Sequence, residues 1–153
     1  MKVRILASSS DPNFDVQRRP KNSRGTYSNS RNIIPLISRV LLSALFIMSG
    51  INKILNPVAT QQYMASYGMP FTGLLLIAAI VIELAGGLSV LLGYKARWGA
   101  IALVIFLIPA TLIFHTNFAD QMQTIQFMKN LAILGGLLMI IQYGSGAIAL
   151  KRD

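Results

Sequence analysis

Four apolar stretches, residues 33–51, 70–93, 97–115 and 125–143, dominate the chain. Each matches the roughly 20 residues a helix needs to cross a bilayer. Inside hydrocarbon no backbone N–H or C=O can rely on water, so stretches of this kind span as helices. The fold class that follows is all-α, a polytopic transmembrane four-helix bundle. A soluble bundle is the alternative, but its helices keep a polar face. These four are apolar nearly all round. Composition agrees: 12% of the residues are charged and 54% are hydrophobic, against roughly 25% charged in a soluble domain. Pro70 suits the first turn of the second helix, and Pro109 bends the third without excluding it from a packed bundle.

Charge sets the expected orientation. Seven of the fourteen Lys and Arg residues precede the first apolar stretch; Lys95 and Arg97 separate the second from the third, and Lys151 and Arg152 follow the fourth. The connections at 52–69 and 116–124 carry only Lys53 and Asp120. The positive-inside bias then places both termini in the cytoplasm of a bacterium, with the chain in its inner membrane. Residues 1–31 are polar and basic, with Pro12 and Pro20 and no helical period. Too little apolar surface is available there to offset ordering entropy, so a disordered cytoplasmic tail is expected. Residues 3–7 are too short and too charged for a signal peptide. The domain organisation is thus a tail at 1–31, a transmembrane domain at 32–146 and a short basic cytoplasmic tail at 147–153.

The net charge of +9 raises nucleic acid as a partner, but no folded basic face accompanies it. The expected partner is the lipid bilayer. The chain has no cysteine and one histidine, so thiolate-ligated clusters and a bis-histidine haem within one copy are excluded. No metal site and no covalently bound cofactor are expected.

Ionisable groups at bilayer depth are costly and usually face a bundle interior or a cavity. Arg39 lies about 9 Å into the first helix from its cytoplasmic end, and Glu83 about 15 Å into the second from the same side. The spacing predicts an intramembrane ion pair between them. Its role is open: it fixes the two helices, or Glu83 titrates, or Arg39 holds an anionic or quinone oxygen. Arg39 reaching out to the headgroups is a further alternative. Arg39, Ser43, Phe46, Gly50 and Lys53 recur at heptad spacing and form the expected interior stripe of the first helix. Ala85, Ser89 and Gly93 form a row of small residues suited to close helix packing. At the outer end, Asn52 and Lys53 close the first helix, His115 closes the third, and Lys129 and Asn130 lie near the start of the fourth. Lys53, His115, Lys129 and Asn130 are the candidate ligand-binding residues, for an anionic substrate or a quinone head group. Interfacial anchoring is the competing reading. The segments 83–94 and 132–143 align without gaps at an offset of 49, a sign of two helices of parallel sense.

The run RVLLSALFIMSGINKIL (39–55) is similar to the opening of DoxX-family membrane proteins. IELAGGLSVLLGYKARWGA (82–100) resembles that family's second helix, and FHTNF (114–118) with QFMKNLAILGGLLMI (126–140) extends the likeness over residues 33–143. The resemblance implies a four-helix membrane bundle. Relatives within the family include the membrane subunit of thiosulfate:quinone oxidoreductase, so it also implies a membrane subunit or anchor for an oxidoreductase partner, with quinone as the ligand to consider. It carries over no catalytic residues. A stand-alone carrier using Glu83, and an assembly protein whose polar pairs only fix packing, remain the alternatives. Catalysis by this chain alone is not expected.

Overall fold

The computed structural model describes residues 24–150, with side chains from Ile33 onward. Five helices follow one another: α1 (Arg24–Leu55), α2 (Pro57–Ser66), α3 (Thr72–Leu92), α4 (Ala96–Phe114) and α5 (Gln121–Tyr143). Four of them, α1 from Ile33, α3, α4 and α5, are long and apolar enough to span a membrane. The all-α, four-span architecture expected from the sequence is the one observed.

The boundaries differ in instructive ways. The expected tail lies outside the described residues up to position 23, but from Arg24 the chain is helical. A spanning helix has already met the cost of nucleation, and extending it needs only one bond per residue. Pro70 does not open α3, which starts at Thr72 after Phe71 in a left-handed conformation (φ 53°). The proline at a first helical turn is Pro57 in α2, a helix within the segment read as the 52–69 connection. Helix α5 starts four residues early because Asp120 caps it, accepting from the Met122 N–H at 2.9 Å.

Packing runs in sequence, α1 on α3, α3 on α4 and α4 on α5, while α1 and α5 barely touch. Lipid supplies no hydrophobic drive between helices, so close approach and polar contacts must hold such a bundle together. Helix α3 turns Gly87 toward Ile47 of α1 and Gly86 toward Leu103 and the Gly99 carbonyl of α4. Phe46, Val90, Leu103, Leu107, Leu137 and Ile140 fill the centre. Leu41, Met48, Leu74 and Ile105 are exposed on the outside, as lipid contact requires. Ala85, placed in the small-residue row, is exposed, whereas Ser89 packs against Gly99 and Gly93 is buried.

The two ends of the bundle differ. At one, called here the basic end, α3 turns into α4 through Gly93 and Lys95, and the chain after α5 folds back over the helices. The Leu150 N–H donates to the Leu92 carbonyl at 2.9 Å. Gly93 is left-handed (φ 68°) and ends α3 as a glycine there commonly does. A Cβ at this position would collide with the Arg39 guanidinium. The opposite end carries α2.

Candidate functional site

The stripe read on α1 is an interior face. Arg39, Ser43, Phe46 and Gly50 are buried and Lys53 is half-buried. Its two cations, however, serve different ends. Arg39 donates through Nη1 to the Ser145 carbonyl at 2.9 Å and through Nη2 to the Ile148 carbonyl at 2.6 Å. It thereby ties the returning C-terminal segment to α1. The structure does not form the expected Arg39–Glu83 pair. Arg39 lies at the level of Gly93, ten residues along α3 from Glu83, or roughly 15 Å. The partner of Glu83 is Lys53, whose ammonium lies 2.9 Å from both carboxylate oxygens. Ser49 joins them, accepting from Lys53 at 2.8 Å and donating to Glu83 Oε1 at 3.1 Å. Lys53 stands two heptads beyond Arg39, about 6 Å past the level of Glu83 at 1.5 Å per residue, so its stem turns inward along the helix. Glu83 itself is only 3% exposed, so an ion pair with a second hydrogen bond is the condition for its presence there.

This pair borders a cavity of about 980 Å³ at the α2 end, set between α1 and α5, with α2 above it. The cavity gathers the outer cluster read from the sequence: Asn52, Lys53, His115, Lys129 and Asn130 all line it. Glu83 joins them, with Ser49 and Gln126, which the sequence reading did not single out. The signal for these was spacing. Ser49 precedes Lys53, and Gln126 precedes Asn130, by one helical turn on the same face. The remaining wall is apolar, with Phe46, Ala79, Phe106, Leu107 and Ile133 among its side chains. Exposed Leu45 and Ile105 lie on its rim.

Each polar group is held by its own element. Asn130 donates to Thr111 Oγ1 at 2.9 Å, and Thr111 donates back to the Leu107 carbonyl at 2.7 Å, linking α5 to α4. Pro109, on the cavity wall, lacks the N–H that would bond the Ile105 carbonyl. His115 Nδ1 lies 2.7 Å from Gln123 Oε1. Tyr63, Tyr67 and Phe114 stack edge and face with centroids 5.0–5.3 Å apart, pinning α2 to the end of α4. Lys129 reaches the cavity exposed, with no ion pair among the described residues. With Lys53 balanced by Glu83, Lys129 leaves the polar wall with an excess positive charge. No cluster of side chains able to hold a metal ion occurs among the described residues.

Four apolar helices with a lipid-facing exterior, enclosing a cavity with one polar wall, define a small polytopic membrane protein. The chain belongs to the DoxX family: the DoxX model matches residues 34–116, more than half its length. Inner membrane protein YqjF of Escherichia coli (strain K12) is 39% identical over 117 residues, 76% of this chain and 88% of that protein. Inner membrane protein YphA of the same strain is 32% identical over 131 residues, 82% of this chain and 94% of that protein. No solved structure matches the chain.

Proposed function

We propose that this DoxX-family protein is an inner-membrane binding protein for a small lipid-soluble molecule with a hydrogen-bonding head group, a quinone by class, and that it serves as the membrane subunit or anchor of an oxidoreductase partner. One observation carries the reading: a cavity of about 980 Å³ with apolar walls and one polar wall made by Lys53, Glu83, Lys129 and Asn130. Ligand sites have this character, and roughly 300–1,000 Å³ is their usual size. The unbalanced Lys129 ammonium suits a carbonyl oxygen, and the apolar wall beside the rim residues Leu45 and Ile105 suits a prenyl tail entering from lipid. With no cysteine in the chain, electrons have to come from a partner. The basic end, with Lys95 and Arg97, faces the cytoplasm in this reading together with both termini, and the cavity opens toward the outer leaflet.

The test is ligand stabilisation. Purified protein in nanodiscs is titrated with a short-chain quinone while its thermal unfolding is followed. Binding raises stability by about 2.7 kcal/mol at a hundredfold excess over Kd. An unchanged unfolding temperature overturns the quinone assignment. Isolation from native membranes in mild detergent tests the second half, and a stoichiometric oxidoreductase is the expected companion.

The Lys53–Glu83 pair at the cavity wall favours one other reading, a carrier whose transport cycle opens that pair. Glu83→Gln separates the two. It abolishes proton-coupled uptake by a carrier and leaves an anchor's partner binding in place.

A further inference from the structure

We propose that the ligand lies across the bundle, with its head group at the α1–α5 seam and its tail leaving to the lipid through an apolar window between α3 and α4. This rests on the cavity being a quinone-class site, and adds that the quinone is a long-chain, prenylated one. The helices pack in a ring, α1 on α3, α3 on α4 and α4 on α5, with α5 returning weakly to α1. The α1–α5 and α3–α4 seams therefore lie on opposite sides. Both are closed in the half of the bundle nearer the basic end. Leu42 meets Gly136 across the first, and Ser89 packs against Gly99 across the second.

Both seams open one heptad further out. A step of seven residues keeps to one side of a helix and advances about 10 Å. From Leu42 and Gly136 that step arrives at Ser49 and Lys129; from Ser89 and Gly99 it arrives at Ile82 and Phe106. All four line the cavity, as do Leu75 and Ile113 one heptad beyond the second pair. The other two seams are bridged at this level. Lys53 and Ser49 bond Glu83 between α1 and α3, and Asn130 bonds Thr111 between α5 and α4.

The two openings differ in chemistry. Ser49 and Asn52 face Gln126 and Lys129 at the first. At the second, Leu75, Ala78 and Ile82 face Ile105, Phe106 and Ile113, without a polar side chain. Ala78 and Ile105 are exposed, so this window gives onto lipid. A head group placed there would lose its hydrogen bonds. A hydrocarbon chain loses nothing, because window and lipid are equally apolar. Neighbouring helices stand about 8–10 Å apart, so a tail shorter than roughly 10 Å would end inside the bundle.

The test places the end of the tail. The full chain in nanodiscs is irradiated with a prenylated benzoquinone whose tail ends in a diazirine, and adducts are mapped by mass spectrometry. Adducts at Ala78, Ile105 or Pro109 that vanish under excess unlabelled prenylated quinone are expected. Competed adducts at Leu45 or Asn52 instead put the tail in the polar seam; they overturn this inference and leave the quinone-class reading intact. No competed adduct at any cavity residue overturns that reading and this inference with it. Ala78→Trp, a change at an exposed position, fills the window and weakens binding of the prenylated quinone about tenfold, as overpacking does. Ile77→Trp, on the lipid face outside the cavity, leaves it unchanged. Equal affinity in Ala78→Trp and the parent also overturns the window.

Discussion

The Lys53 ammonium lies 2.9 Å from each oxygen of the Glu83 carboxylate, and this contact joins α1 to α3 on the wall of the cavity. The side chains are 18% and 4% exposed. Both charges are withdrawn from water, and each is tolerated because of the other.

Removing one member therefore costs more than removing both. Lys53→Met leaves a buried carboxylate unpaired and lowers stability by about 3–5 kcal/mol. The double variant Lys53→Met, Glu83→Leu recovers most of that loss. Thermal unfolding of the variants in nanodiscs checks this, and a Lys53→Met protein as stable as the parent contradicts it.

Arg39 acts at the other end of the bundle. It holds the Ser145 and Ile148 carbonyls, and charge-assisted bonds of this type contribute about 1.5–3 kcal/mol each. Arg39→Met frees segment 144–150 to exchange its amide hydrogens rapidly while α1 stays packed on α3. Arg39→Lys restores only part of the protection, because an ammonium lacks the fork that reaches two carbonyls. Hydrogen exchange read by mass spectrometry decides it; unchanged protection of 144–150 in Arg39→Met sinks the idea.

The glycines divide into two kinds. A Cβ at Gly99 would sit 2.6 Å from Ser89 Oγ and 3.1 Å from the Gly86 carbonyl, whereas one at Gly135 would meet nothing within 4 Å. Gly99→Ala pushes α3 from α4 and costs about 1–3 kcal/mol. Gly135→Ala is neutral or gains up to about 1 kcal/mol from helix propensity. Parallel unfolding curves of the two variants test the α3–α4 contact.

The four spans and the interior face of α1 were legible because lipid allows few solutions and a heptad stripe maps onto one side of a helix. The outer cluster was legible for the same reason: Lys53, His115, Lys129 and Asn130 sit near helix ends that connectivity places at one level. The partner of Glu83 was not. Depth along a helix gives height but not which neighbour turns inward, and the donors of Arg39 go to a backbone segment that has no apolar pattern to announce it. Helix α2 was hidden by its polarity. Asn56-Pro57, followed by ten residues without glycine or proline, is a helix start that the surrounding loop character outweighed.

Lys129 is the cation of the cavity with no ion pair among the described residues, so in the proposed site its part is in binding the ligand rather than in holding the fold. Lys129→Met weakens quinone affinity by about tenfold, as loss of a charged hydrogen bond of roughly 1.5 kcal/mol or more would, and leaves the unfolding temperature of the ligand-free protein unchanged. A binding isotherm beside an unfolding curve gives both numbers.

The most direct test of the cavity as the ligand site is photolabelling. A quinone carrying an azide on its ring is irradiated with the protein in native membranes, and the modified peptides are mapped by mass spectrometry. Labels on Met64, Phe106 or Ile133, which line the cavity on three different helices, and their loss under excess unlabelled quinone, are the predicted result. Labelling confined to the lipid-facing positions Leu41, Met48 and Leu74, without competition, would contradict it.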